Sequence, residues 1–205
     1  MAPPPTVDLR AVVRHYIARH RPRALAELAS FRDEPTLEAA VRRAALTLLA
    51  DGRRDPHHTR RPQELLERAE ARLVERLAAI ETAAAFSSLY QVIDNAVGHW
   101  TGLGHLYVYD AALRIGARKG VLPKVVYLHA GTREGAQKLL DAKKRKTLFP
   151  SELIEVAPAL AELEAYEIED VLCIYKDQLL SGAEELDDVV RCWPEESERA
   201  GTAFD

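Results

Sequence analysis

"VLPKVVYLHAGTREGAQKLL", residues 121–140, is the stretch whose reading decides the fold. The chain around it is rich in Ala, Leu, Glu and Arg at helical spacing, whereas Val125, Val126, Tyr127 and Leu128 favour extended backbone. A strand in a sheet core needs partners of the same character, and almost no other run has it. The expected class is therefore all-α, a compact helical bundle with one short extended segment at 125–128. Gly131 permits a tight turn after it, and 132–140 then runs helical. Thr132 either caps that helix, or the first-turn amides and Arg133 face a phosphate or carboxylate, with His129 as acid/base partner.

Upstream lies "GHWTGLGHLYVYDAALRIGAR", residues 98–118. It reads as the end of a helix over 86–100, a break at Gly102-Leu103-Gly104, and a helix over 106–118. Glycines there let backbone N–H groups approach a phosphate, which the positive end of the next helix favours. Asp110 and Arg114 sit four apart, as a modest surface ion pair or as an Arg-oriented carboxylate facing His129. Downstream, "DAKKRKTLFP" is a basic linker whose Lys143, Lys144, Arg145 and Lys146 are solvated or contact phosphates. Short helices follow to Gly182.

Towards the N-terminus, Val12, Val13, Tyr16 and Ile17 share one face of a helix expected over 7–18. Another helix covers 23–31. Thr36 is a cap for a stripe of Leu37, Val41, Ala44, Ala45 and Leu48, and Pro62 opens a long helix striped from Leu65 to Ile80. One helical domain over 1–182 is expected, with 98–140 at its centre and an acidic, partly flexible tail over 183–205.

The net charge of −4 hides a division. Residues 1–150 carry 25 Lys/Arg against 16 Asp/Glu, and residues 151–205 carry 3 against 16. Such polarity suits a basic face for a polyanion beside an acidic tail that binds a protein partner or keeps the chain soluble. No apolar run approaches the roughly 20 residues of a membrane span. The two cysteines, Cys173 and Cys192, form no framework, so a cytoplasmic protein is expected. Adjacent His57 and His58 point apart in most backbones, Cys173 falls on an apolar stripe, and Glu167, Glu169 and Asp170 read as first-turn acids. No metal site and no cofactor are expected.

Taken together, the order Gly102-x-Gly104, a helix to Arg118, then Pro123 through His129 and Arg133 resembles the helix-hairpin-helix DNA glycosylases. The likeness covers roughly residues 86–140. It implies a related fold, DNA binding and, for an enzyme, glycosylase-like chemistry. The position of the family's catalytic Asp is held here by Tyr127, so the likeness does not carry the activity over. Asp110 is the alternative acid. The expected function is a DNA-binding helical protein, a base-acting repair or defence factor. It would use Asp110 and His129 for chemistry, with Gly102, Gly104, Arg114, Thr132, Arg133 and 143–146 towards DNA or another anion. The alternatives are a small helical enzyme using Asp110, Arg114, His129 and Arg133 on another substrate, and a protein–protein module.

Overall fold

The structure, a computed structural model, describes residues 8–181, and the proline-rich start and the acidic segment 183–205 lie outside those residues. It is all-α apart from one two-stranded ribbon. Helix α1 spans Leu9–Arg19, with Asp8 accepting from the Arg10 amide. Helix α2 spans Arg21–Arg32, its corner with α1 fixed by Pro22 in the first turn. Thr36 caps α3, Leu37–Ala45, by accepting from the Ala39 amide at 3.0 Å. The stripe expected to reach Leu48 stops short. Thr47 turns to φ +57°, and Leu48 pairs with Arg54 across a turn at Gly52.

A one-turn helix, Pro56–His58, follows, capped by Asp55. The long helix expected from Pro62 is two, α4 (Gln63–Val74) and α5 (Leu77–Thr82). Helix α6, Phe86–Ile93, runs into a wide π-type turn, Asp94–Gly98, and α7 covers His105–Lys119. Gly120, at φ +71°, ends α7 in the left-handed conformation that only glycine adopts freely. Helix α8 is Ala130–Leu139, α9 Pro150–Val156, α10 Ala165–Ile174 and α11 Gln178–Ser181.

The extended segment is real but short. Strand β1, Val126–Tyr127, pairs antiparallel with β2, Thr147–Leu148. The supposed basic linker thus carries the partner strand, and the Leu128 amide bonds Lys146 O at 2.8 Å to continue the ladder. Two residues are too few to show a period of two in the sequence.

Two apolar clusters hold these elements. The first surrounds α7 and includes Phe31, Val41, Leu66, Leu73, Ile93, Tyr107 and Ile115, all buried. The second surrounds α10 and includes Val12, Tyr16, Val126, Leu153, Ile168, Leu172 and Tyr175. On α3 and α4 the opposite face carries a layer of charged side chains, with Arg42 between Glu38 and Glu70.

One titrating corner lies outside that layer. His20 stacks on Tyr16 and meets Tyr175 edge-on. Burial, then His15, Arg23 and Arg19 beside it, lower its pKa from 6.5 to about 4. A histidine depressed in the folded state contributes stability that is complete above its unfolded pKa and lost as pH falls through that value towards 4. His20→Gln should flatten the acid limb of a stability–pH curve between those values by about 1–2 kcal/mol, after discounting for partial exposure. Parallel curves for the two proteins would contradict this.

Candidate active site

A small cavity of about 80 Å³ lies where the two clusters meet. One wall is α7 with Tyr109, Asp110 and Arg114, backed by Glu27 of α2 and by Asp55 and His57 of the one-turn helix. The facing wall is His129 ahead of α8, with Glu169, Asp170 and Cys173 of α10. Most of these groups are buried, and each therefore needs a partner.

Asp110 is held by a short relay. The Arg61 guanidinium can only donate, and its Nε donates to His58 Nδ1 at 2.9 Å. That fixes the imidazole proton on Nε2, which donates to Asp110 Oδ2 at 2.7 Å. Burial raises the Asp110 carboxyl. The His58 hydrogen bond and the nearby Arg114 outweigh it and hold the group below the usual carboxylate range. The expected Asp110–Arg114 bond is not made. Arg114 instead pairs with Asp55, with Glu27 a further 3.8 Å contact. The cause is the Asp55 cap. Its Oδ1 accepts from the His57 amide at 2.8 Å, which lays Asp55 and His58 against α7 within reach of both side chains.

His129 is locked from the other wall. It stands at the N-cap of α8 with an extended backbone. Its Nε2 forms an ion pair with Glu169 Oε1 and lies 2.8 Å from the Thr132 hydroxyl, which donates to the same Glu169 oxygen. Burial lowers the His129 pKa, and the Glu169 bond and charge, with Asp110 behind, more than reverse this, so the net shift is upward. Thr132 is therefore not the cap of its helix. It is fully buried inside the first turn and serves as a positioning group.

The balance of charge in the cavity is acidic. Burial, then Glu169, push Asp170 well above its ordinary pKa, and it accepts a hydrogen bond from the Tyr16 hydroxyl at 2.8 Å. Burial likewise raises Glu27. Tyr109 is 2% exposed, and its hydroxyl has no hydrogen-bond partner among the described residues. Neither does Nη1 of Arg114, a residue 5% exposed.

Beyond Tyr109 and His129 lies an open groove of about 340 Å³, for which the same two residues form the inner wall. Its rim carries His105, Arg133 and Lys146, and its side carries Tyr90 and Tyr127 with ring centroids 4.7 Å apart. Arg133 is partly committed, donating to Leu128 O at 2.7 Å and, more weakly, to Arg145 O. Within the basic run, Lys143, Lys144 and Lys146 are exposed, but Arg145 is paired twice with Glu152, at 2.5 and 2.8 Å.

The glycine break has the expected backbone. Gly102 has φ +94°, and Gly104 leads into α7 with no side-chain cap. Both glycines are exposed and line neither cavity nor groove, although the next residue, His105, lines the groove. The structure thus brings Asp110, Arg114, His129 and Thr132 to one place, and leaves Gly102, Gly104, Lys143 and Lys144 away from it.

Glu27, Asp55, His57, His58, Glu169, Asp170 and Cys173 were not expected in a site. Two signals point to them. "DPHH" is a capped turn that brings both histidines to Asp110. In α10, Glu169 and Cys173 recur one turn apart within an otherwise apolar face.

Comparison of the chain with known protein families, with curated proteins and with solved structures finds no match in any of the three. Among the described residues, no helix is long and apolar enough to cross a membrane.

Proposed function

We propose that this chain is a small helical enzyme whose reaction centre is the Asp110–His129 cavity. One observation carries the reading. A carboxylate whose pKa is driven down and an imidazole whose pKa is driven up come from different cores, and each is fixed by its own relay on opposite walls of one cavity. Groups whose surroundings drive their pKa values apart are what paired base and acid chemistry needs. In such a reaction Asp110 takes a proton from water or a substrate hydroxyl. His129 gives one to the leaving group, and the two return to their starting states by reverse transfer through solvent. The basic rim and the paired tyrosines of the outer groove suit a substrate with an anionic and a planar part.

A panel of chromogenic phosphate and carboxylate esters and glycosides, together with nucleosides and nucleotides, tests this. Turnover of at least one class is expected, falling about 10²–10⁴-fold in Asp110→Asn. Turnover of none, or full activity in the variant, would reject the reading.

A second reading, binding of DNA through the hairpin, is favoured by the φ +94° glycine and the uncapped start of α7 beside His105. It predicts retention of duplex DNA at low salt, with log affinity falling linearly in log salt concentration. Replacing Lys143, Lys144 and Lys146 together with Ala should make that slope shallower by about two to three. Absence of binding at about 50 mM salt, where phosphate contacts are strongest, would dismiss it.

A further inference from the structure

We infer that the cavity binds a divalent transition-metal ion through His129, Glu169 and Cys173. A nitrogen, an oxygen and a sulfur donor, one from each residue, lie within 4.8 Å of one another. Glu169 and Cys173 are one turn apart on the same face of α10, and His129 is delivered by the N-cap of the helix packed against it. That packing is tight enough to fix the spacing, because α8 and α10 meet backbone to backbone at Gly135 and Leu172.

The donor set selects the ion. Magnesium and calcium take oxygen ligands, whereas imidazole with thiolate and one carboxylate suits zinc, cobalt or iron. Three protein ligands leave a coordination position open for water or substrate, the arrangement of catalytic rather than structural zinc sites. Thr132 already donates to Glu169, as an outer group does when it orients a ligand.

A second observation points to a ligand in the same space. The Tyr109 hydroxyl and Arg114 Nη1 are buried on the cavity wall without hydrogen-bond partners among the described residues. A metal-bound water facing that wall would supply an acceptor to both. The surplus of carboxylates over cations in the lining favours the same occupant.

A second trio, Asp55, His57 and Asp110, also brings its donor atoms within 4.8 Å of one another. Asp55 is already paired with Arg114 and Asp110 with His58, so a cation there would have to displace outside groups, whereas the His129–Glu169 pair joins two of the α10 ligands themselves. The α10 trio is therefore the site.

The test uses the full chain, dialysed against a chelator and titrated with Zn²⁺, Mn²⁺ and Mg²⁺ by calorimetry and thermal melting. One equivalent of Zn²⁺ should bind, raise the melting temperature, and be preferred over Mg²⁺. The Co²⁺ form should show a thiolate-to-metal charge-transfer band that is absent in Cys173→Ser. His129→Gln and Cys173→Ser should weaken Zn²⁺ binding by at least about 100-fold, and Thr132→Val by about tenfold. No Zn²⁺ binding, unchanged affinity in Cys173→Ser, or loss in His57→Gln alone would overturn the assignment. His129 cannot give a proton from a ring nitrogen that holds a metal, so the two readings use different states of one residue and are separable. Asp110-dependent turnover in protein that binds no Zn²⁺ rejects the metal and keeps the enzyme, whereas tight Zn²⁺ binding without turnover in the chelated protein does the reverse.

Discussion

Replacing Arg114 with Met should lower the unfolding free energy by about 3–5 kcal/mol, because breaking a buried ion pair strands the remaining charge. The stranded group is Asp55, itself 2% exposed, with Glu27 and Asp110 close by. A Met fills much of the volume, so packing loss is the smaller part. Two controls isolate the charge. Asp55→Asn in the Arg114→Met background should recover part of the loss. Arg114→Lys should not restore wild-type stability, since an ammonium cannot reproduce the guanidinium's fixed fork. Chemical denaturation measures all three proteins. A loss under about 1 kcal/mol, the size of an exposed pair, would mean the pair is solvated and the cavity is not closed.

Gly135→Ala should cost as much from a different cause. A methyl group there would lie 2.0 Å from the carbonyl oxygen of Leu172 and 2.8 Å from its carbon. Backbone cannot yield as a flexible side chain does, so α8 and α10 must separate. Overpacking of this kind costs about 1–3 kcal/mol and more where backbone has to move. Separation also pulls His129 and Thr132 away from Glu169 and Cys173, so the variant should lose Zn²⁺ affinity and turnover along with stability. Gly104→Ala is the contrast. Nothing lies within 4 Å of that position, and less than about 1 kcal/mol, a weaker N-cap, is expected. Equal melting temperatures for wild type and Gly135→Ala would show that the two helices are not in backbone contact.

The helical class was readable because its signals are local. Thr36 caps α3 through an amide three residues on, and Gly120 ends α7 as a left-handed residue. The stripes of α1 and α7 repeat long enough to register as periods. The ribbon was half visible, since Val126 and Tyr127 carry extended preference and Thr147 and Leu148 do not stand out from a basic stretch. The site was legible only as ingredients. Asp110, Arg114 and His129 could be named, but an i,i+4 spacing suggested that the first two pair. Their real partners are 52 and 59 residues away in sequence, His58 and Asp55. Buried charge is a tertiary property. Only Glu167 is a first-turn acid of α10; Glu169 and Asp170 fall in its second turn, and the α8 contact turns that face inward. The expectation that adjacent histidines point apart overlooked that both reach Asp110, by different routes. His58 positions Asp110 from behind, while His57 lines the cavity.

The central claim is that Asp110 and His129 act as one unit in the cavity, and a double-mutant cycle on turnover measures it most directly. Asp110→Asn, His129→Gln and the double variant would be compared on whichever substrate the wild type turns over, with unfolding free energies recorded for each. Residues that act as a unit are far from additive. Each single change should cost about 10²–10⁴-fold, and the double variant should be no slower than the worse single by more than about threefold. Single variants that keep wild-type turnover, or losses that simply multiply in the double variant, would contradict the account.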